Sequence, residues 1–104
     1  MRYYAAYRFG RWREVHRFVH PDVKEHESYK AFVKGVKLGG VIRGFELLGS
    51  RHLEEWHSTW MQKTYHDIVA IDRTVRYEDV DGNCSENRTQ HWQQIEGRWF
   101  IVYD

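Results

Sequence analysis

The sequence predicts an α+β domain: three N-terminal helices followed by four antiparallel strands. Three observations carry this. Apolar residues recur at helical spacing through the first third of the chain. They alternate with period 2 through much of the remainder. The dipeptides Asp81-Gly82 and Glu96-Gly97 place glycine where a two-residue hairpin needs positive φ.

Tyr3, Tyr4 and Tyr7 share one face of a first helix over about 2–9, with Arg2 and Arg8 left for water. Gly10 interrupts it. Trp12, Val15, His16 and Val19 then mark a second helix over about 11–19, or the continuation of one kinked helix. Pro21 stops that helix, because the residue before a proline is steered out of the α region. His20-Pro21-Asp22-Val23 reads as the exit turn. Ser28 is placed to cap a third helix over about 28–38, whose face is Tyr29, Phe32, Val33 and Val36 and whose end is Gly39-Gly40.

A first strand is expected over about 44–57, with Phe45, Leu47 and Leu53 on one face, although Leu53, Trp56 and Trp60 also fit a helix. Residues 58–64 read as a loop. Strands over about 65–79, 84–95 and 98–103 follow. The first turn predicts Arg73 opposite Gln90, Ile71 opposite Trp92 and Val69 opposite Gln94. The second predicts Gln94 opposite Trp99, Trp92 opposite Ile101 and Gln90 opposite Tyr103. Both place Trp92 on the buried face, and a one-residue slip would swap every face.

The 104 residues make one domain, rich in aromatics at 16%. Such a surplus suits a pocket or an apolar interface as well as a small core. The single cysteine, Cys84, rules out an internal disulfide and a cysteine metal cage. Residues 1–43 hold ten Lys or Arg against four acids, and residues 44–104 hold six against eleven. With a net charge of +1 this balance argues against a nucleic-acid binder. No apolar run approaches the ~20 residues of a membrane span. The compartment is unknown from sequence: cytoplasmic if Met1 is the native start, exported or lipid-anchored if a longer chain was trimmed there. Asn83-Cys84-Ser85 and Asn87-Arg88-Thr89 fit the N-glycosylation acceptor pattern, which short polar strands meet often by chance.

Certain runs carry a resemblance: Gly10-Arg11-Trp12, Phe18-Val19-His20-Pro21-Asp22-Val23 and Ser28-Tyr29-Lys30-Ala31-Phe32. At the far end stand Tyr77-Glu78-Asp79-Val80-Asp81-Gly82, Trp92 and Gly97-Arg98-Trp99-Phe100-Ile101. In this order they resemble the nuclear transport factor 2-like family, and most of all its uncharacterised small bacterial domains. The resemblance implies a cystatin-like fold with a curved sheet wrapped around the helices, and a cone-shaped pocket between them. It leaves the chemistry open, because this fold hosts isomerases, dehydratases, cyclases and inert binding domains.

The steroid-isomerase branch of that family pairs a carboxylate base with a tyrosine hydroxyl. By position the resemblance implies Glu27 as the base and Tyr7, or Tyr3 or Tyr4, as the phenol. A glutamate just before a helix is equally well explained by the helix dipole. His16 and His20 stand at i, i+4, but Arg17 occupies the place where the zinc-protease pattern needs glutamate. Neither a metal nor a cofactor is implied.

Two polar residues, Asp67 and Arg73, interrupt the apolar face of the strand over 65–79. Arg73 with Gln90 and Tyr103 forms the expected polar anchor, walled by Tyr7, Phe45 and Trp92, with Asp67 farther along the strand. The reading is therefore a non-catalytic module that binds a small apolar or acidic ligand or associates with another protein. The alternative is a small isomerase or dehydratase in the same pocket. The last strand is apolar on both faces, and Ile68 and Ala70 add to the outer face, so a homodimer through that face is expected.

Overall fold

The computed structural model describes residues 2–38 and 41–103. Gly10 divides the first apolar stripe into two helices, α1 (Arg2–Arg8) and α2 (Trp12–His16). It takes φ +70°, and the Arg11 and Gly10 amides return to the Ala6 and Tyr7 carbonyls. That satisfies the last carbonyls of α1 in a Schellman arrangement.

The expected exit turn is instead a third helix, α3 (Pro21–His26). Proline is well suited to a first helical position, where its missing N–H costs nothing. The His20 side chain caps the helix by accepting the Asp22 amide at 3.1 Å. Helix α4 (Tyr29–Leu38) begins as expected, with Ser28 Oγ accepting the Ala31 amide at 3.1 Å. The glycine pair 39–40 lies outside the described residues.

Four strands follow: β1 (Val41–Ser58), β2 (Lys63–Asp79), β3 (Gly82–Ile95) and β4 (Arg98–Val102). They form one antiparallel sheet in the order β1-β2-β3-β4. The fold is α+β, with four short helices ahead of the sheet. The β3–β4 register is the predicted one, Trp92 opposite Ile101 and Gln94 opposite Trp99. Tyr103 lies just beyond β4, so its ladder partnership with Gln90 is not made.

The β2–β3 register differs from expectation by two residues. Asp79 pairs with Gly82, so Val80 and Asp81 make the turn and Gly82, at φ +113°, opens β3. Trp92 therefore faces Val69, Gln90 faces Ile71, and Arg73 faces Arg88. A two-residue slip keeps each side chain on its face, which is why Trp92 remains in the core.

One core lies between helices and sheet. Tyr3, Tyr4, Ala6, Val15, Val19, Val23 and Phe32 pack with Trp92 and Ile101, and Phe45, Ile71 and Tyr103 join from the sheet. Strand β1 does not keep one face. Its register shifts between Ile42 and Gly44 and again between Leu47 and Gly49. An extra residue reverses the alternation, so the bulge after Leu47 leaves Phe45 in the helix-side core and sends Leu53 to the opposite face; Leu47, on the face of Phe45, is exposed.

On that opposite face Tyr65, Ile68 and Val102 form a second cluster with Leu53, Trp56 and Met61. Trp56 lies flat on His91, with ring centroids 3.9 Å apart. Farther along the same face the side chains are polar: Arg51 donates to Asp72 at 2.6 Å, Thr89 to Asp72 at 2.6 Å, and Thr74 to Asn87 at 2.8 Å.

The helices also close one sheet edge. The Ile101 amide donates to the Phe18 carbonyl at 2.6 Å, and the His20 amide donates to the Ile101 carbonyl at 2.9 Å. Val19 thereby forms a parallel bridge with Ile101 and covers part of the outer edge of β4.

Candidate functional site

Helix α1 lays its tyrosines over the middle of β2 and β3, and the polar groups beneath it meet there. The Tyr4 hydroxyl donates to Gln90 Oε1 at 2.8 Å, and Gln90 Nε2 donates to the Tyr3 hydroxyl at 3.1 Å. Both ends of the Gln90 amide are thus satisfied by one helix. Burial pushes the Tyr3, Tyr4 and Tyr7 hydroxyls above their ordinary value of 10.0, and the charge of Arg73 opposes the rise at all three.

Arg73 itself is only 9% exposed. Its Nε and Nη1 are buried and have no hydrogen-bond partner. Three acids have other partners: Glu14 pairs with Arg2 at 3.4 Å, Glu27 accepts from Tyr103 at 3.1 Å and Glu86 pairs with Arg88 at 2.8 Å. A buried guanidinium with unused donors is costly, so this position has chemical significance.

Beside this cluster opens a cavity of about 390 Å3 walled by Phe18, Val69, Ile71, Trp92 and Trp99, with Arg2 at its lip. Its walls are almost wholly apolar. The indole Nε1 of Trp92 is buried and has no partner either. A larger groove of about 600 Å3 at the far end of the sheet is lined by Arg43, Arg76, Tyr77, Glu78, Asn83, Cys84 and Ser85. Charged and polar side chains are mixed into its lining, and Arg43 is already paired with Glu78. The apolar cavity is the better small-molecule site.

No family model, curated protein or solved structure matches this chain. The site is therefore read from its own geometry.

Several expected residues gather here and others do not. Arg73, Gln90, Tyr7, Phe45 and Trp92 all lie on the helix-covered face, but Arg73 and Gln90 are not cross-strand partners. Tyr103 is anchored away from Gln90, its hydroxyl donating to Glu27 Oε1. Burial, and then the adjacent Glu27 charge, raise the Tyr103 hydroxyl far above its ordinary value. Asp67 is a correction. It sits at φ +55° in β2 with its side chain 84% exposed, next to His52 rather than in the site.

Glu27 and Tyr7 do not come together as base and phenol; the phenol on Glu27 is Tyr103. His16 and His20 part company as well. The His16 ring lies against Tyr29 and Phe32, and His20 Nε2 donates to Gln93 Oε1 at 2.7 Å. Among the described residues no group of three His, Cys, Asp or Glu side chains is placed to hold a metal ion. The cavity wall formed by Val69, Trp99 and Phe18 was not anticipated. Its signal was there in the double-sided apolar pattern of Trp99-Phe100-Ile101-Val102.

Proposed function

We propose that this chain is a non-catalytic domain of the nuclear transport factor 2-like type, holding a small ligand in the cavity over Val69, Ile71 and Trp92. The order of elements supports the family reading, with short helices ahead of a four-stranded antiparallel sheet. The observation that carries the ligand reading is the cavity itself: apolar walls and an open lip with Arg2 upon it. Ligand pockets are commonly apolar with a few convergent polar groups, and 390 Å3 lies within their usual range. Association with another protein is the other form of the same proposal, and the homodimer belongs to it.

The alternative, a small isomerase or dehydratase, is favoured by the meeting of Glu27 with a phenolic donor at 3.1 Å. In that reading Glu27 removes a proton beside a carbonyl, and a phenol steadies the resulting enolate. The Tyr103 hydroxyl that now donates to Glu27 would have to turn aside first.

Native mass spectrometry of the protein purified from its own host tests both. The binding module retains a small molecule that Val69→Phe, by filling the cavity, releases. Bare protein in both samples overturns the ligand reading. An enzyme returns the retained molecule chemically altered by wild type and unaltered by Glu27→Gln.

A further inference from the structure

We infer that the corner of the helical layer around Gly10 docks on an anionic lipid bilayer. Phe9 enters the bilayer surface, and Arg8, Arg11, Arg13, Arg17 and Lys37 receive the lipid phosphates and carboxylates. This corner shares no lining residue with the cavity over Val69, Ile71 and Trp92.

The basic surplus of the first 43 residues collects here. A groove of about 240 Å3 has Arg8, Trp12 and Lys37 in its lining. An adjoining groove of about 460 Å3 shares Gly10 and Trp12 with it and adds Arg11, Arg13 and Arg17. Among the described residues none of these five cations has an acid at ion-pair distance. Glu14, the acid in the second lining, is already paired with Arg2. Arg8 and Lys37 stand in the last turns of α1 and α4, where a helix dipole favours a cation. Arg11 stands at the N-cap of α2, where the dipole disfavours one. Unpaired charge of one sign on one corner calls for a partner of the other sign.

The apolar element chooses the partner. Phe9 is 68% exposed, and the Arg8 and Arg11 guanidiniums lie over its ring at 5.8 and 5.9 Å from the centroid. Its turn is closed, since the Phe9, Gly10 and Arg11 amides return to the Ala5, Tyr7 and Ala6 carbonyls. A fixed aromatic tip among cations matches the two signals of a peripheral membrane site, apolar insertion and attraction to anionic lipid. A single-stranded nucleic acid would instead need free ring faces for its bases. Here Arg13 covers Tyr29 at 4.4 Å, arginines cover Phe9, and Trp12 packs against Tyr7 and Gly10.

The test is co-sedimentation with vesicles of phosphatidylcholine alone and of phosphatidylcholine with about one-third phosphatidylserine, beside titration with a single-stranded oligothymidylate. Wild type is expected to bind the mixed vesicles at least about tenfold tighter than the neutral ones. Arg11→Gln combined with Arg17→Gln should weaken that binding by about tenfold or more, and Phe9→Ser by about threefold or more. Arg51→Gln removes a cation from the opposite face of the sheet and should leave binding within about twofold. Residues 9, 11 and 17 are all exposed, and thermal unfolding establishes that each variant is folded. Absence of binding to the mixed vesicles, or equal binding to both kinds, overturns the bilayer assignment. So does unchanged binding in either the paired arginine variant or Phe9→Ser. A loss in Arg51→Gln as large as that of the arginine pair overturns it too, because charge would then count without place. Tighter binding of the oligothymidylate than of the mixed vesicles overturns it in favour of nucleic acid. The cavity reading stands under every one of these outcomes.

Discussion

Trp92 shows how much one side chain can carry in a small core. It is 3% exposed, and it meets Tyr3 edge-on at 5.3 Å and Phe18 at 6.1 Å. It also forms part of the cavity wall. Trp92→Ala is expected to destabilise the domain by about 3–5 kcal/mol, as large aromatic truncations do, and a denaturant midpoint measures it. Asp22 is a second residue with a definite role. Its carboxylate accepts from Lys63 at 2.8 Å and from Tyr65 at 2.9 Å, tying α3 to β2. The Lys63 bond, with the Tyr65 bond, holds the Asp22 carboxyl below its ordinary value of 3.8. The folded state thus favours the ionised form. The stability this adds is complete above the ordinary carboxylate value and is lost as pH falls through the lower folded one. Asp22→Asn should cost roughly 1 kcal/mol at neutral pH. The gap from wild type should close in acid, as thermal unfolding across a pH series would reveal.

At the scale of elements, the two hairpins explain both the success and the limit of reading the sequence. The second turn holds because Glu96 and Gly97 both accept positive φ, +51° and +79°. In the first, only Gly82 does so, and Asp81 does not. The turn closes one residue earlier than the glycine suggests, and the strand slides by two. Faces survived the slide, so the buried position of Trp92 and Arg73 was legible while their neighbours were not. Strand β1 was less legible for another reason. A bulge leaves no mark in residue type, and the one between Leu47 and Gly49 sends Phe45 and Leu53 to opposite faces. Helix α3 was hidden by Pro21, which stops one helix and starts another. Asp22 in the first turn was the available hint.

For the molecule as a whole, the expectation at stake is association. Ile68, Ala70, Phe100 and Val102 gave the apolar pattern that pointed to a homodimer; Ile68, Ala70 and Val102 are buried within a single chain, and Phe100 is half-buried. Leu53, Trp56 and Met61 pack against the cluster formed by Tyr65, Ile68 and Val102. The rest of that face carries the Arg51–Asp72–Thr89 and Thr74–Asn87 contacts. A dimer through it would bury polar groups already satisfied, for little apolar gain. Light scattering at tens of micromolar is the measurement: twice the monomer mass keeps the homodimer, and a single mass removes it. The site was legible only in part at this scale. Arg73 stood out as a charge in an apolar strand, whereas a cavity arises from the spacing between elements, which no run of residues displays.

The bridge between Val19 and Ile101 has a consequence for how the chain reaches this structure. Residues 18–20 leave the ribosome early, and β4 is among the last described segments to be made. Until β4 arrives, Phe18 and Val19 can meet Trp92 on β3, but their backbone has no edge strand to bridge. The sheet can zip from hairpin to hairpin, yet the layer between helices and sheet cannot seal. Distant pairings of this kind slow folding, because a long loop must be ordered before its contacts reward it. During synthesis, therefore, this part of the helical layer stays unsealed until β4 has been made.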